Sequence, residues 1–261
     1  MSFRSARSSQ ARSRSTSKRC AASHINGLHQ YRAQANWLNP EARYHHCPRI
    51  LRDAFYRSRW SLDSCERFSI FVGSGASPLK GAHFAVRALA LLRRRFPKAK
   101  LYIAGRSPYE LPRFSANNLF GYSVYLCELI DELGLREHVQ FTGSLDSEAM
   151  ADRMRNSHVF LLSSLIENSP NTLAEAMLLG VPAVSAYTGG APSMARDEEE
   201  ALFYRADDPA MLALQVQRLF EDEDLCQRFS AAARARALTT HDPDAIMATL
   251  VSVYRTILAR A

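Results

Sequence analysis

Apolar and polar positions alternate in two different rhythms along this chain. From residue 68 onward, six short apolar runs recur, at 68–73, 100–105, 138–142, 158–162, 182–186 and 201–204. Runs of that length, bounded by Gly, Pro or polar residues, have the pattern of buried strands. Between them the spacing changes to that of a helix. Phe84, Ala88, Leu91 and Leu92 share one face, and Pro97 marks the end of that helix. Residues 122–133 are amphipathic and stop at Gly134, and 147–156 follow the capping residue Asp146. Asp207-Asp208-Pro209 opens a helix that ends near Phe220, and 222–238 give another. Asp242-Pro243 starts a last helix that runs to about Leu258.

Strand–helix alternation of this kind predicts a parallel sheet covered by helices on both faces. The expected fold class is α/β, a doubly wound Rossmann-like sheet followed by carboxy-terminal helices. Such a sheet receives its ligand outside the carboxyl ends of its strands. The loops 73–81, 105–121, 162–171 and 186–192 all emerge there. The expected organisation is an unstructured Arg/Ser-rich segment over 1–23 and a linker, or the remnant of a preceding domain, over 24–65. A ligand-binding domain follows over 66–240, and a terminal helix over 241–261.

Charge changes this picture only at one end. Of the 33 Lys and Arg, seven fall in residues 1–40 beside no acidic residue, which leaves 26 basic against 26 acidic in the remainder. The body is near neutral, so nucleic-acid binding by it is not expected. The segment 1–23 reads as a transit-type presequence, a basic tail for RNA or anionic lipid, or an abnormal start to the chain, and the last is preferred. No run approaches the roughly 18 apolar residues of a membrane span, so no more than peripheral membrane contact is expected. Cys20, Cys47, Cys65, Cys127 and Cys226 are odd in number and lie at no metal-ligand spacing. They point to free thiols in reducing, cytoplasmic surroundings. His45-His46-Cys47 reads as a packing or surface cluster, because adjacent ligands rarely share one metal.

The chemistry concentrates in Ile166-Glu167-Asn168-Ser169-Pro170-Asn171-Thr172-Leu173-Ala174-Glu175-Ala176-Met177. Ser169 suits an N-cap and Pro170 a first helical position, and Leu173, Ala176, Met177 and Gly180 give the helix an inward face. Glu167 then lies on the strand-to-helix loop and Glu175 in the second turn, with free backbone N–H groups between them. Such groups hold phosphate, and carboxylates accept from hydroxyls. A phosphate ester with polyhydroxyl groups on both sides fits, and a nucleotide sugar has that shape.

With Ala176-Met177-Leu178-Leu179-Gly180-Val181-Pro182-Ala183-Val184 and Gly189-Gly190 behind it, this stretch resembles the donor site of family 4 glycosyltransferases of the GT-B fold. The resemblance covers roughly residues 66–258. It implies one Rossmann-like half of a GT-B fold, whose last helix crosses back to an amino-terminal acceptor domain. That domain is expected to be largely missing, since 38–47 and 50–56 resemble an interdomain region. The resemblance also implies retaining transfer from a UDP- or GDP-linked sugar to a polysaccharide or glycoconjugate, with a glycan or lipid-linked acceptor and no metal. In it, Lys80 and the N–H groups of Asn171, Thr172 and Leu173 stabilise the leaving diphosphate. Glu167 binds sugar hydroxyls and favours the cationic ring, and Glu175 accepts from the ribose. Asn168 and Ser169 belong to the same donor-binding stretch, and Gly189-Gly190 lets the backbone approach the sugar.

The first loop, Val72-Gly73-Ser74-Gly75-Ala76-Ser77-Pro78-Leu79-Lys80-Gly81, matches only in part. Family members carry an Arg after the first glycine and a Lys before the later one. Lys80-Gly81 matches the second, Gly75 is counted with the donor-binding residues, and Ser74 stands at the Arg position. Arg106 or Arg113 on the neighbouring loop is the expected substitute. Rival phosphate motifs fail: Lys80 precedes Gly81 where a P-loop needs the reverse, and Pro78 stands where a dinucleotide fingerprint needs a third glycine. That disfavours an NAD-dependent dehydrogenase. Asp222-Glu223-Asp224 reads as helix capping. The remaining rival is a catalytically incompetent nucleotide-sugar-binding module, or a partner subunit, without an acceptor domain.

Overall fold

The computed structural model describes residues 25–26, 29–41, 43–75, 77–110 and 121–259. The segment 1–23, with Cys20, and Arg113 lie outside these. The described residues form two compact units, one within 51–239 and one from those up to residue 50 together with 240–259. In the second unit, β1 (Ile25–Asn26) and β2 (His45–His46) form a short parallel pair, and α1 (His29–Leu38) and the last helix, Pro243–Leu258, are its helices. His241 Nδ1 lies 2.8 Å from Arg49 O, and burial lowers the pKa of its ring.

The larger unit is a six-stranded sheet, all parallel, built from β3 (Glu66–Val72), β4 (Lys100–Ile103), β5 (Val139–Phe141), β6 (Ser157–Leu162), β7 (Ala183–Ala186) and β8 (Leu202–Tyr204). The spatial order is β5-β4-β3-β6-β7-β8. Each predicted apolar run supplies one strand. β6 is buried along its whole length, which is why it reads as continuous rather than alternating.

Helices α2 (Asp53–Arg57), α3 (Ala82–Leu92), α4 (Gly121–Glu132), α5 (Ser147–Arg155), α6 (Asn171–Leu179), α7 (Ala191–Met194), α8 (Pro209–Glu221) and α9 (Glu223–Thr240) complete the unit. α3 packs with α4 and α8, while α2, α5 and α6 form a separate group, so the two faces of the sheet are covered by different sets. The starts follow their caps: Asp146 accepts from Ala149 N–H at 2.9 Å, and Asp208 accepts from Met211 N–H at 2.9 Å ahead of Pro209. Asp222 likewise accepts from Leu225 N–H at 2.8 Å, the capping role expected of that acidic triplet. Residues 51–65 belong to this unit. Trp60 is buried there, its N–H donating to Leu179 O and its indole Nε1 to Ser157 O, both at 2.8 Å.

The central pair is irregular at its amino end. The β3–β6 register shifts between Glu66 and Ile70, and Phe68 takes a φ of 61°. His158 Nδ1 accepts the Phe68 N–H at 3.2 Å, and Ser69 Oγ accepts the His158 N–H at 3.1 Å. These two side chains satisfy the groups that the bulge leaves unpaired.

Candidate functional site

From β3 the sheet extends outward through β4 and β5, and from β6 it extends the other way through β7 and β8. The windings part between β3 and β6, so the crevice at a topological switch point opens above their carboxyl ends. Both loops singled out in the sequence leave from these two strands.

The loop after β3 is held close to its neighbours. Gly75 N–H donates to Ala104 O at 3.2 Å, and a Cβ at this position would lie 2.3 Å from Ile103 Cγ2. Ser77 Oγ caps one tight turn, Pro78–Lys80, by accepting the Leu79 N–H. Gly81 follows at φ 69°, where a Cβ would lie 1.9 Å from Ser163 O. That contact begins a stitch to the loop after β6. Ser163 Oγ donates to Lys80 O at 2.9 Å, and Leu165 N–H donates to Leu79 O at 2.8 Å. The stitch ends in an ion pair, Lys80 Nζ to Glu167 Oε1 at 2.6 Å, with the lysine 37% and the glutamate 11% exposed.

Glu167 is braced from its other side. Gly190 N–H donates to Asn168 O at 3.0 Å. Gly189 takes a φ of 51°, and a Cβ there would meet the Glu167 carbonyl oxygen at 1.6 Å. The backbone that these glycines admit in the structure is therefore that of Glu167, where the sequence reading had placed the sugar.

The helix start differs by one residue from the expectation. Pro170 is the N-cap and α6 begins at Asn171, because the Pro170 carbonyl closes the first turn by accepting the Leu173 N–H at 3.0 Å and the Ala174 N–H at 3.3 Å. Ser169 does not cap; its Oγ donates to Met194 Sδ at 3.9 Å. The Leu173 N–H is thus already taken and its side chain is in the core. Among the described residues, the N–H groups of Asn171 and Thr172 meet no backbone acceptor. A small cleft of about 60 Å³ lies here, lined by Gly73, Ser74, Lys80, Ser163, Glu167 and Thr172. Ser164 also borders it.

Glu175 stands one turn beyond Thr172. It is 3% exposed within a run, Leu173–Leu179, that is buried at every position. Both its oxygens are engaged by Arg52, Nε to Oε1 and Nη2 to Oε2, each at 2.8 Å. This hydrogen-bonded carboxylate raises the pKa of the guanidinium further. Arg52, Ser163 and Ser164 are site residues that the sequence reading missed. A signal for Arg52 was present, since a glutamate inside a fully buried helix run requires a cation. Arg106 is exposed after β4 and makes no ion pair among the described residues.

Lys80, Glu167 and Thr172 line one cleft where two loops meet at the switch point. The profile described as "Glycosyl transferases group 1" matches residues 53–236, well over half of the chain. The chain belongs to this family. Among curated group 1 relatives, it is 28% identical to phosphatidyl-myo-inositol mannosyltransferase of Mycobacterium leprae (strain TN), over 72% of this chain and 46% of that protein. It is 31% identical to mannosylfructose-phosphate synthase of Agrobacterium fabrum, over 62% of this chain and 35% of that protein. The chain therefore spans less than half the length of these two relatives.

Solved structures agree on the fold. Sucrose-phosphate synthase of Thermosynechococcus elongatus superposes with a TM-score of 0.76 at 22% identity, covering 91% of this chain and 58% of that one. The carboxy-terminal domain of a group 1 glycosyl transferase from Francisella tularensis gives 0.59 at 16% identity, covering 72% of this chain and 97% of that one. The six-stranded unit is one Rossmann-like half of a GT-B fold. No helix among the described residues is long and apolar enough to cross a membrane.

Proposed function

We propose that this domain binds the donor of a retaining glycosyltransferase, which moves a sugar from a UDP- or GDP-linked donor to a glycan or lipid-linked acceptor. The observation that carries the reading is the Lys80–Glu167 pair, 2.6 Å apart at the switch point and beside the free N–H groups of α6. A lysine has three donor protons and Glu167 takes one, so two remain for phosphate oxygens. The N–H groups of Asn171 and Thr172 meet the same anion along the positive end of the helix. The small cleft suits a phosphate-sized group, and the nucleoside and sugar lie in the open crevice beyond it. Relatives with related chemistry support the reading, including a GDP-mannose-dependent mannosyltransferase and an Anabaena protein crystallised with UDP.

In the reaction, the bond from anomeric carbon to diphosphate oxygen breaks as the acceptor hydroxyl attacks the same face of the sugar. The hydroxyl proton passes to the departing phosphate oxygen. Charge grows on the diphosphate, where Lys80 and the two N–H groups are already placed, so their stabilisation strengthens in the transition state. Glu167 Oε2 is left to accept from a sugar hydroxyl and to favour the positive character of the ring. The reading assigns the site no metal. The four described cysteines, all buried and none in a disulfide, suit reducing, cytoplasmic surroundings.

A thermal-shift and calorimetric screen of UDP- and GDP-sugars tests this. A bound donor at about a hundred times its Kd adds about 2.7 kcal/mol of stability, and NAD adds none. Glu167→Gln removes the extra affinity of the nucleotide sugar over the nucleoside diphosphate. Stabilisation by NAD alone would sink the reading.

A further inference from the structure

A second cavity, of about 560 Å³, lies between the 59–63 segment and α9 and shares no lining residue with the cleft. Arg59, Ser61, Asp63, Gln227 and Ser230 line it, and the buried Trp60 forms one wall. It sits beside the last turn of α6, where the Trp60 N–H donates to Leu179 O and Arg234 Nη1 donates to Leu178 O. Thr172, at the cleft, is six residues before Leu178, which is about 9 Å along a helix axis.

The lining is rich in donors without partners. Arg59 and the Gln227 side chain make no hydrogen bond or ion pair among the described residues. Ser61 Oγ accepts the Asp63 N–H at 3.3 Å and keeps its own proton to donate. Arg234 follows Ser230 by one turn of α9 and spends Nη1 on Leu178 O and on Ser58 O, the latter at 3.2 Å. Burial, and then the charge of Arg59, lower the pKa of this guanidinium. The two cations therefore feel each other, and neither is paired to a carboxylate among the described residues. An anion that answers both relieves that repulsion. Asp63, also without an ion pair, adds one acceptor to the same cavity.

We propose that this cavity is a second ligand site, separate from the cleft at the switch point, that binds a sugar phosphate. The phosphate lies on Arg59 and Arg234, and a sugar hydroxyl donates to Asp63. Guanidinium forks match phosphate oxygens, and the Ser61 hydroxyl and Gln227 amide supply further protons. Inorganic phosphate would leave most of the volume empty and would face the Asp63 charge unrelieved. A phosphorylated sugar fills more of the space and turns that carboxylate into a partner. The volume falls within the roughly 300–1,000 Å³ of small-molecule sites.

Calorimetry on the full chain tests it, with glucose 1-phosphate, glucose 6-phosphate and inorganic phosphate as probes of the cavity, and UDP and GDP as probes of the cleft. The variants are Arg59→Gln, Asp63→Asn and Lys80→Met. Arg59 and Asp63 are exposed, so their variants keep the wild-type melting temperature. Wild type binds the better sugar phosphate about tenfold tighter than inorganic phosphate, the scale of one hydrogen bond to a charged group. Arg59→Gln weakens that sugar phosphate about tenfold and leaves UDP and GDP within about twofold. Asp63→Asn narrows the gap between sugar phosphate and inorganic phosphate to within about threefold. Lys80→Met, which acts at the cleft, leaves sugar phosphate binding within about twofold. Loss in Lys80→Met without loss in Arg59→Gln would place the sugar phosphate in the cleft and overturn the proposal. So would a wild type that binds neither sugar phosphate saturably, or that holds inorganic phosphate as tightly.

Discussion

The two ends of the central strand pair solve opposite problems. At the amino end of β3 and β6, His158 and Ser69 use their hydrogen bonds to close a bulge, and aromatic rings fill the space around them. The His158 ring stacks on Phe220 with centroids 5.1 Å apart, and Phe220 meets the edges of Phe68 and Phe96 at 5.3 Å each. Cys226 closes the cluster, its Sγ donating to Leu219 O at 3.0 Å. At the carboxyl end the polar groups keep unused capacity: protons on Lys80, an oxygen on Glu167, and N–H groups on Asn171 and Thr172. One end uses its polar groups internally and supplies stability. The other holds them in reserve and can receive a ligand. A buried polar group is costly unless satisfied, so reserve capacity belongs only where the surface is open.

Substitutions should therefore separate along this axis. The largest effect is expected at Phe220→Ala, which empties the aromatic cluster and costs about 3–5 kcal/mol in urea unfolding. Nucleotide affinity of the folded fraction stays within about twofold of wild type. A loss in affinity without a loss in stability would remove the distinction between the ends.

Next comes a pH effect confined to the amino end. Burial lowers the His158 pKa to about 3 from an ordinary value of 6.5. The unfolded chain therefore binds this proton first as pH falls. The histidine's contribution is complete above about pH 6.5 and declines toward pH 3, by up to about 1.4 kcal/mol per pH unit. Unfolding curves across that range should show a slope that His158→Gln reduces. Identical slopes would mean that His158 titrates normally in the fold.

A smaller and mixed effect is expected at Gly189→Ala. The added Cβ collides with the Glu167 carbonyl in a left-handed backbone, so about 1–3 kcal/mol of stability is lost. Nucleotide-sugar affinity falls with it, because Glu167 moves; unchanged affinity would show that this brace does not set the glutamate. The smallest stability effect is at Lys80→Met. A half-exposed ion pair contributes under about 1 kcal/mol, whereas nucleoside diphosphate binding should weaken about tenfold. Equal retention of both would remove Lys80 from the site.

Much of the sheet was legible because each strand is a compact apolar run and each major helix carries its own cap or stop. That Lys80 and Glu167 reach one crevice was legible from placing their loops at the carboxyl ends of strands, whereas their direct ion pair was not. What stayed hidden was long-range or local in ways a pattern does not record. Arg52 reaches Glu175 across most of the domain. Pro170 reads equally well as cap or first residue, and only its carbonyl geometry decides, which is why the Leu173 N–H was wrongly counted as free. The room made by Gly189 was legible as room, while its occupant, the Glu167 backbone, required the fold.

The stitch between Leu79–Gly81 and Ser163–Leu165 bears on how fast ligands come and go. Loops tied by two hydrogen bonds, a glycine contact and an ion pair do not have to assemble around an incoming molecule. Capture should then be a single bimolecular step, with an observed rate that rises linearly with nucleotide concentration in stopped flow. A rate that saturates would mean the loops rearrange first. On the proposed donor reading, a linear rate leaves discrimination between nucleotide sugars to residence time: a wrong donor enters as readily as the right one and leaves sooner.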